Sequence, residues 1–201
     1  MRETTGLRER KKAATLLALH EAALRLAAEQ GPERITVEAI ADAANVSRRT
    51  FSNYFSSKEE ALFHGDTLRL RRMLDLLHDR PADEPPWTAL CQAALHLAAE
   101  VYDDLAMSWL TRRRRLHGHP GLLAHQVAAY TAIERELAGE LARRLTGPDA
   151  ALRARILAAT FLATLRIAVQ HWIEHPDRPL VDTLRAALTA GAEWRGWPDH
   201  A

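Results

Sequence analysis

From about Glu9 onward the chain repeats one pattern: apolar residues recur every three or four positions, and the run is then cut by proline, glycine or a capping hydroxyl. That spacing predicts amphipathic helices joined by tight turns. The first helix is expected over Glu9 to Gln30, with Leu16, Leu17, Ala23, Leu24 and Ala27 as its inward stripe and Gly31-Pro32 as its stop. Thr36 is placed to cap a second helix over Val37 to Ala44, where Ile35, Ile40, Ala41 and Ala44 supply apolar contacts and Glu38 and Asp42 stay outside. At Asn45 the chain has to reverse within about three or four residues, and asparagine tolerates the left-handed conformation better than most residues. Val46 then fills the corner, and Ser47 caps a third helix over Arg48 to Phe55, with Phe51 and Phe55 facing inward. Ser57 to Glu60, SKEE, is a capping box that opens a fourth helix running from Lys58 to His78.

Further helices are predicted over Trp87 to Asp103, Ala106 to Leu116, Gly121 to Leu145, Asp149 to Glu174 and Val181 to Trp194, separated by RPADEPP, HGHP, Gly147-Pro148 and His175-Pro176. Alanine and leucine dominate and β-branched runs are missing, so the fold class is all-α, with about nine helices. With 201 residues and 47% apolar content the chain can bury a real core. The pattern divides it into an N-terminal three-helix domain carrying the helix-turn-helix, residues 1–65, and a helical C-terminal domain, residues 66–201.

The third helix carries the chemistry. With its two phenylalanines inward, Arg48, Arg49, Thr50, Ser52, Asn53 and Tyr54 are left outside. Arginine can fork onto guanine edges, asparagine can pair with adenine, and hydroxyls reach phosphates. Thr36, Ser47 and Lys58 flank this set and complete the expected DNA-binding residues. Net charge is only +1, but residues 45 to 58 hold Arg48, Arg49 and Lys58 without an acid, and the footprint of a sequence reader is local. Arg8, Arg10, Lys11 and Lys12 add a basic arm over residues 1–12, either a minor-groove follower or a solvated tail.

Order, spacing and residue type across Thr36, Ile40-Ala41, Val46-Ser47, Thr50-Phe51, Tyr54-Phe55 and Ser57-Lys58 resemble the signature of the TetR family of transcriptional repressors. The resemblance spans Ala13 to Phe63 and departs at Asn45, where glycine is usual, and at Ser52, where an aromatic is frequent. It implies a homodimer on a palindromic double-stranded operator, two reader helices lying about 34–36 Å apart, released by a small-molecule inducer bound in the C-terminal domain. Walls for such a pocket are sought at Trp87, Cys91, Leu95, Met107, Trp109, Leu110, Tyr130, Phe161 and Arg166, each of which can equally be plain core. Arg166, inside an apolar helix, needs an anionic partner: Glu100, Glu134 or a ligand anion. Arg112 to Arg115 is either a solvated bend or a phosphate grip. The segment from Trp109 to Trp172 resembles ligand domains of actinobacterial relatives that sense acyl-coenzyme A, which makes acyl-CoA one inducer class to consider.

Ile156 to Val169 reads ILAATFLATLRIAV, apolar on nearly all sides, so it needs partners on nearly all sides. Ala159 and Ala163, with Leu180, Leu184, Leu188 and Trp194 of the last helix, are the expected four-helix dimer interface. Lone Cys91 excludes an internal disulfide, and no stretch of about 18 unbroken apolar residues occurs, so a cytoplasmic protein without a membrane span is expected. His171 and His175 lie one turn apart and His117 and His119 flank a glycine, but neither pair has an obvious third ligand, so no metal or other cofactor is expected. No Gly-rich phosphate loop, nucleophile elbow or His-Glu-x-x-His occurs, so no enzyme is expected. The alternative to a DNA reader is a helical ligand-binding or scaffold protein that has lost sequence-specific DNA binding, for instance through Ser52.

Overall fold

The breaks in the apolar pattern are where the chain turns. A computed structural model describes residues 3–102 and 120–193. Among the described residues there are eight helices and no strand: α1 (Glu3–Gln30), α2 (Val37–Ala43), α3 (Arg48–Ser52), α4 (Lys58–His78), α5 (Pro86–Tyr102), α6 (Pro120–Ala142), α7 (Ala150–Glu174) and α8 (Leu180–Glu193). The helix expected over Ala106 to Leu116 lies outside the described residues, with Met107, Trp109, Leu110, Arg112 to Arg115, His117, His119 and Trp194.

Two expectations about α1 are corrected. The helix begins at Glu3, so Arg8, Arg10, Lys11 and Lys12 are helical and exposed instead of forming a separate arm. The buried stripe is Leu19, Ala22, Ala23, Leu26 and Ala27, whereas Leu17 is 53% exposed. The period was legible but its phase was not, because Leu16 and Leu17 fit two adjacent stripes equally well.

The chain forms two compact units, with divisions between Thr67 and Leu68 in α4 and between Gln126 and Val127 in α6. In the first unit, Leu19, Ala23 and Leu26 of α1 meet Ile35, Ile40, Ala41, Phe51, Phe55, Ala61, Leu62 and Leu122 in one core. α1 ends at Gly31, whose φ of 89° suits glycine and whose N–H donates to the Ala27 carbonyl at 3.0 Å. In the second unit, Met73 and Leu77 of α4 pack with Leu90 of α5, Leu137 and Leu141 of α6, and Leu157 and Phe161 of α7. A smaller cluster joins Ala98 to Trp172, Ile173, Leu180 and Leu184. α7 is long and apolar enough to cross a membrane by length and composition, yet its Ala154, Leu157, Ala158, Phe161 and Leu162 face is interior to this helical unit.

The end of α4 is closed by side chains. Arg144 donates to the carbonyls of Leu77, in the last turn of α4, and of Arg80 and Pro81 in the turn after it, at 2.7, 3.1 and 2.6 Å. Arg80 Nε donates to Glu84 across the following turn at 2.7 Å. The Arg80 hydrogen bonds hold the Glu84 carboxyl below its ordinary range, against the opposing effect of burial. A carboxyl lowered on folding contributes stability that is present above its unfolded pKa and is lost as pH falls through the folded value. Glu84→Gln is therefore expected to lower the melting temperature at neutral pH and to flatten the acid limb of the stability curve; identical curves for both proteins would refute a role for this pair.

Candidate nucleic-acid interface

Local chemistry fixes the α2–α3 pair. Thr36 is extended, and its hydroxyl accepts from the Ala39 N–H at 3.1 Å, capping α2 as expected. Asn45 takes the left-handed conformation with φ 54°, and the Val46 N–H returns to the Ala41 carbonyl at 2.9 Å, so the reversal is complete within one turn. Ser47 Oγ accepts from the Thr50 N–H at 3.0 Å and shares a hydrogen bond with Thr50 Oγ1 at 2.8 Å. α3 is shorter than expected: it stops at Ser52, with Asn53 as its C-cap, and the Tyr54 N–H bonds back to Phe51 in a tighter turn.

Phe51 and Phe55 are buried, with ring centroids 5.7 Å apart. Burying them leaves Ser47, Arg48, Arg49, Ser52 and Asn53 exposed, while Thr50 is half-buried. Tyr54, expected outside, is half-buried against the core because the chain tightens after Ser52. The donor face is not free of acid in space: Glu38 of α2 lies 3.0 Å from Arg48 Nε. Arg49 has no acid partner among the described residues.

Lys58 differs from its expected role. Its ammonium donates to the carbonyls of Pro32, Glu33 and Ile35 at 2.9, 3.2 and 3.0 Å, so all three of its donors face the α1–α2 link. It cannot hold a phosphate with the same donors, and the structure makes it a clamp on that link. The capping box is staggered as well: Ser57 Oγ accepts from the Glu60 N–H at 3.1 Å, but Glu60 returns to Ser56, taking its N–H and its hydroxyl at 2.6 Å each. Neither Lys58's carbonyls nor Arg48's acid lies within a helical turn in sequence, and the local pattern carried no signal for either pairing.

In the second unit, Phe161 is buried and meets the Trp87 ring edge-on at 5.8 Å. Half-buried Trp87, Cys91 and Tyr130 border the same cluster, and Leu95 borders the smaller one. Arg166 departs from this group. It is exposed, on the side of α7 that also exposes Ala159 and Ala163, and Glu100 instead takes a forked bond from Arg72 of α4, at 3.0 and 2.7 Å. That bond holds the Glu100 carboxyl below its ordinary range.

Leu152, Ile156 and Ile167 are 58%, 47% and 57% exposed and extend the Ala159 and Ala163 face into an apolar stripe along α7. Leu180, Leu184 and Leu188, expected at a dimer interface, are buried inside the protomer. Helical spacing marked them as inward but could not say whose core they enter. His171 and His175 lie with ring centroids 4.8 Å apart, and no group of three or more potential metal ligands occurs among the described residues.

Comparison with known proteins supplies two family matches: residues 19–64 match the model described as bacterial regulatory proteins, tetR family, and residues 84–193 match the MftR C-terminal domain. The chain is 33% identical to the HTH-type transcriptional regulator TcmR of Streptomyces glaucescens, over 94% of this chain and 90% of that one. It is 27% identical to the putative mycofactocin biosynthesis transcriptional regulator MftR of Mycobacterium tuberculosis, over 89% of this chain and 90% of that one. Its fold is similar to that of NalD from Pseudomonas aeruginosa, with a TM-score of 0.56 at 19% identity, covering 91% of this chain and 98% of that one.

Replacing Lys58 by Met strands three carbonyls, and hydrogen bonds to a charged group contribute about 1.5–3 kcal/mol. Lys58→Met is expected to destabilise the chain by about that amount in denaturant unfolding, with partial recovery in Lys58→Arg. Wild-type stability in Lys58→Met would refute the clamp.

Proposed function

The chain belongs to the TetR family of bacterial regulatory proteins, and on that premise we propose that it is a repressor that binds a palindromic operator as a homodimer and is released by a small-molecule ligand. The observation that carries this reading is the exposed face of α3, where Arg48, Arg49, Ser52 and Asn53 stand opposite the buried Phe51. A short helix anchored by its apolar side and capped at both ends offers its donors from a backbone that is already ordered. In this reading Arg48, Arg49 and Asn53 meet base edges, while Thr36, Ser47, Thr50, Ser52 and Tyr54 position the reader on phosphates.

The α7 stripe supports the dimer. Ala159 and Ala163 let a second helix approach closely, and Leu152, Ile156 and Ile167 supply apolar area that the protomer leaves in water. Trp87, Cys91, Leu95, Tyr130 and Phe161 are the proposed ligand walls in the described part of the second unit, and ligand acts by binding one of two states better than the other.

Fluorescence anisotropy on the DNA upstream of the chain's own gene, with scrambled competitor, tests the reading. Tight binding that Arg49→Ala weakens by about 1–3 kcal/mol is expected, with long-chain acyl-CoA as the first ligand to titrate for release. Equal affinity for operator and scrambled duplex, indifferent to Arg49, would favour the helical scaffold alternative. Ile156→Asp is expected to convert the dimer to a monomer by light scattering at micromolar concentration; a monomeric wild type would refute the dimer.

A further inference from the structure

We propose that Glu38 is a specificity-determining residue that acts through Arg48, an inference that rests on α3 being the DNA reader. The Glu38 carboxylate lies 3.0 Å from Arg48 Nε, and the two side chains are 55% and 73% exposed. An ion pair this open to water adds little to stability, so the fold does not require it. Glu38 sits in the first turn of α2, where the helix field favours a negative charge. Arg48 is the first residue of α3, where the same field disfavours a cation. The carboxylate thus offsets the charge of a guanidinium that would otherwise attract any phosphate, while neighbouring Arg49 has no such partner among the described residues.

The carboxylate makes its nearest approach at Nε, which leaves the four N–H groups on the two terminal nitrogens of Arg48 for other acceptors. Those terminal groups are the ones that fork onto the O6 and N7 acceptors of guanine. A guanine in the major groove can therefore be read with the Glu38 contact intact. A phosphate that meets the same terminal groups carries a negative charge that the nearby carboxylate repels, whereas the guanine edge is neutral. Glu38 thereby weakens attraction to any duplex more than it weakens recognition of the right one.

The test measures wild type and Glu38→Gln, each with and without Arg48→Ala, on the tightest-binding duplex and on a scrambled one across a salt series. Glu38→Gln is expected to tighten binding to scrambled DNA by roughly 3–10-fold and to steepen its log–log salt slope by about one per protomer, as one more phosphate is neutralised. Affinity for the specific duplex should change less than about threefold, so discrimination falls, and the melting temperature should stay at its wild-type value because the pair is exposed. In the Arg48→Ala background the same substitution should leave discrimination unchanged. Unaltered discrimination and slope in Glu38→Gln would overturn the proposal, as would an equal effect with Arg48 already removed, which would mark simple repulsion by the carboxylate. If the wild type does not distinguish the two duplexes, the reader assignment falls and the proposal with it; if it does and Glu38→Gln is silent, only the proposal falls.

Discussion

A five-residue helix cannot hold itself together in water, and α3 is five residues long. Its conformation depends on Phe51, 1% exposed, and on Phe55 just beyond its end, 3% exposed. Each ring contributes roughly 1.5–3 kcal/mol of burial, against Ile40 and Ala41 of α2 and the inner stripe of α1. Everything the outer side of α3 presents follows from that anchor. With the rings inside, the arginines and Asn53 have only the outer side to occupy, and Ser47 and Asn53 satisfy backbone groups that so short a helix leaves open. The left-handed Asn45 makes the geometry possible, because it turns the chain quickly enough for Val46 to close back onto Ala41.

A cationic side chain near each end of α4 gathers backbone carbonyls. Lys58 draws together the link between α1 and α2 at one end, within the first unit. Arg144 takes the last carbonyls of α4 and of the turn after it, within the second.

Much of this architecture was legible in the sequence. Thr36 and Ser47 as caps, Asn45 as the reversal, Phe51 and Phe55 as anchors, and Gly31 as the stop all follow from local steric and hydrogen-bonding rules that act within one turn. The failures concern partners distant in sequence. Lys58 reads as a phosphate contact until three carbonyls more than twenty residues earlier are seen to take its donors. Arg166 looks buried because its helix is apolar, but it occupies the exposed face. Leu180, Leu184 and Leu188 are inward-facing by period, and only the tertiary structure shows that they face their own protomer. Glu38 escaped notice because an acid on α2 belongs to a different local pattern from the arginine it meets. Periodicity reports that a face is covered and is silent on what covers it.

Selection from a pool of random duplexes by the full chain tests most directly whether α3 reads a two-fold symmetric DNA sequence. The expected result is enrichment of a palindrome whose half-sites lie about one helical turn apart, roughly 10–10.5 base pairs centre to centre, with guanine at the positions that lose preference in Arg48→Ala or Arg49→Ala. A pool that stays random after repeated rounds, or an enriched site indifferent to both arginines, would contradict it.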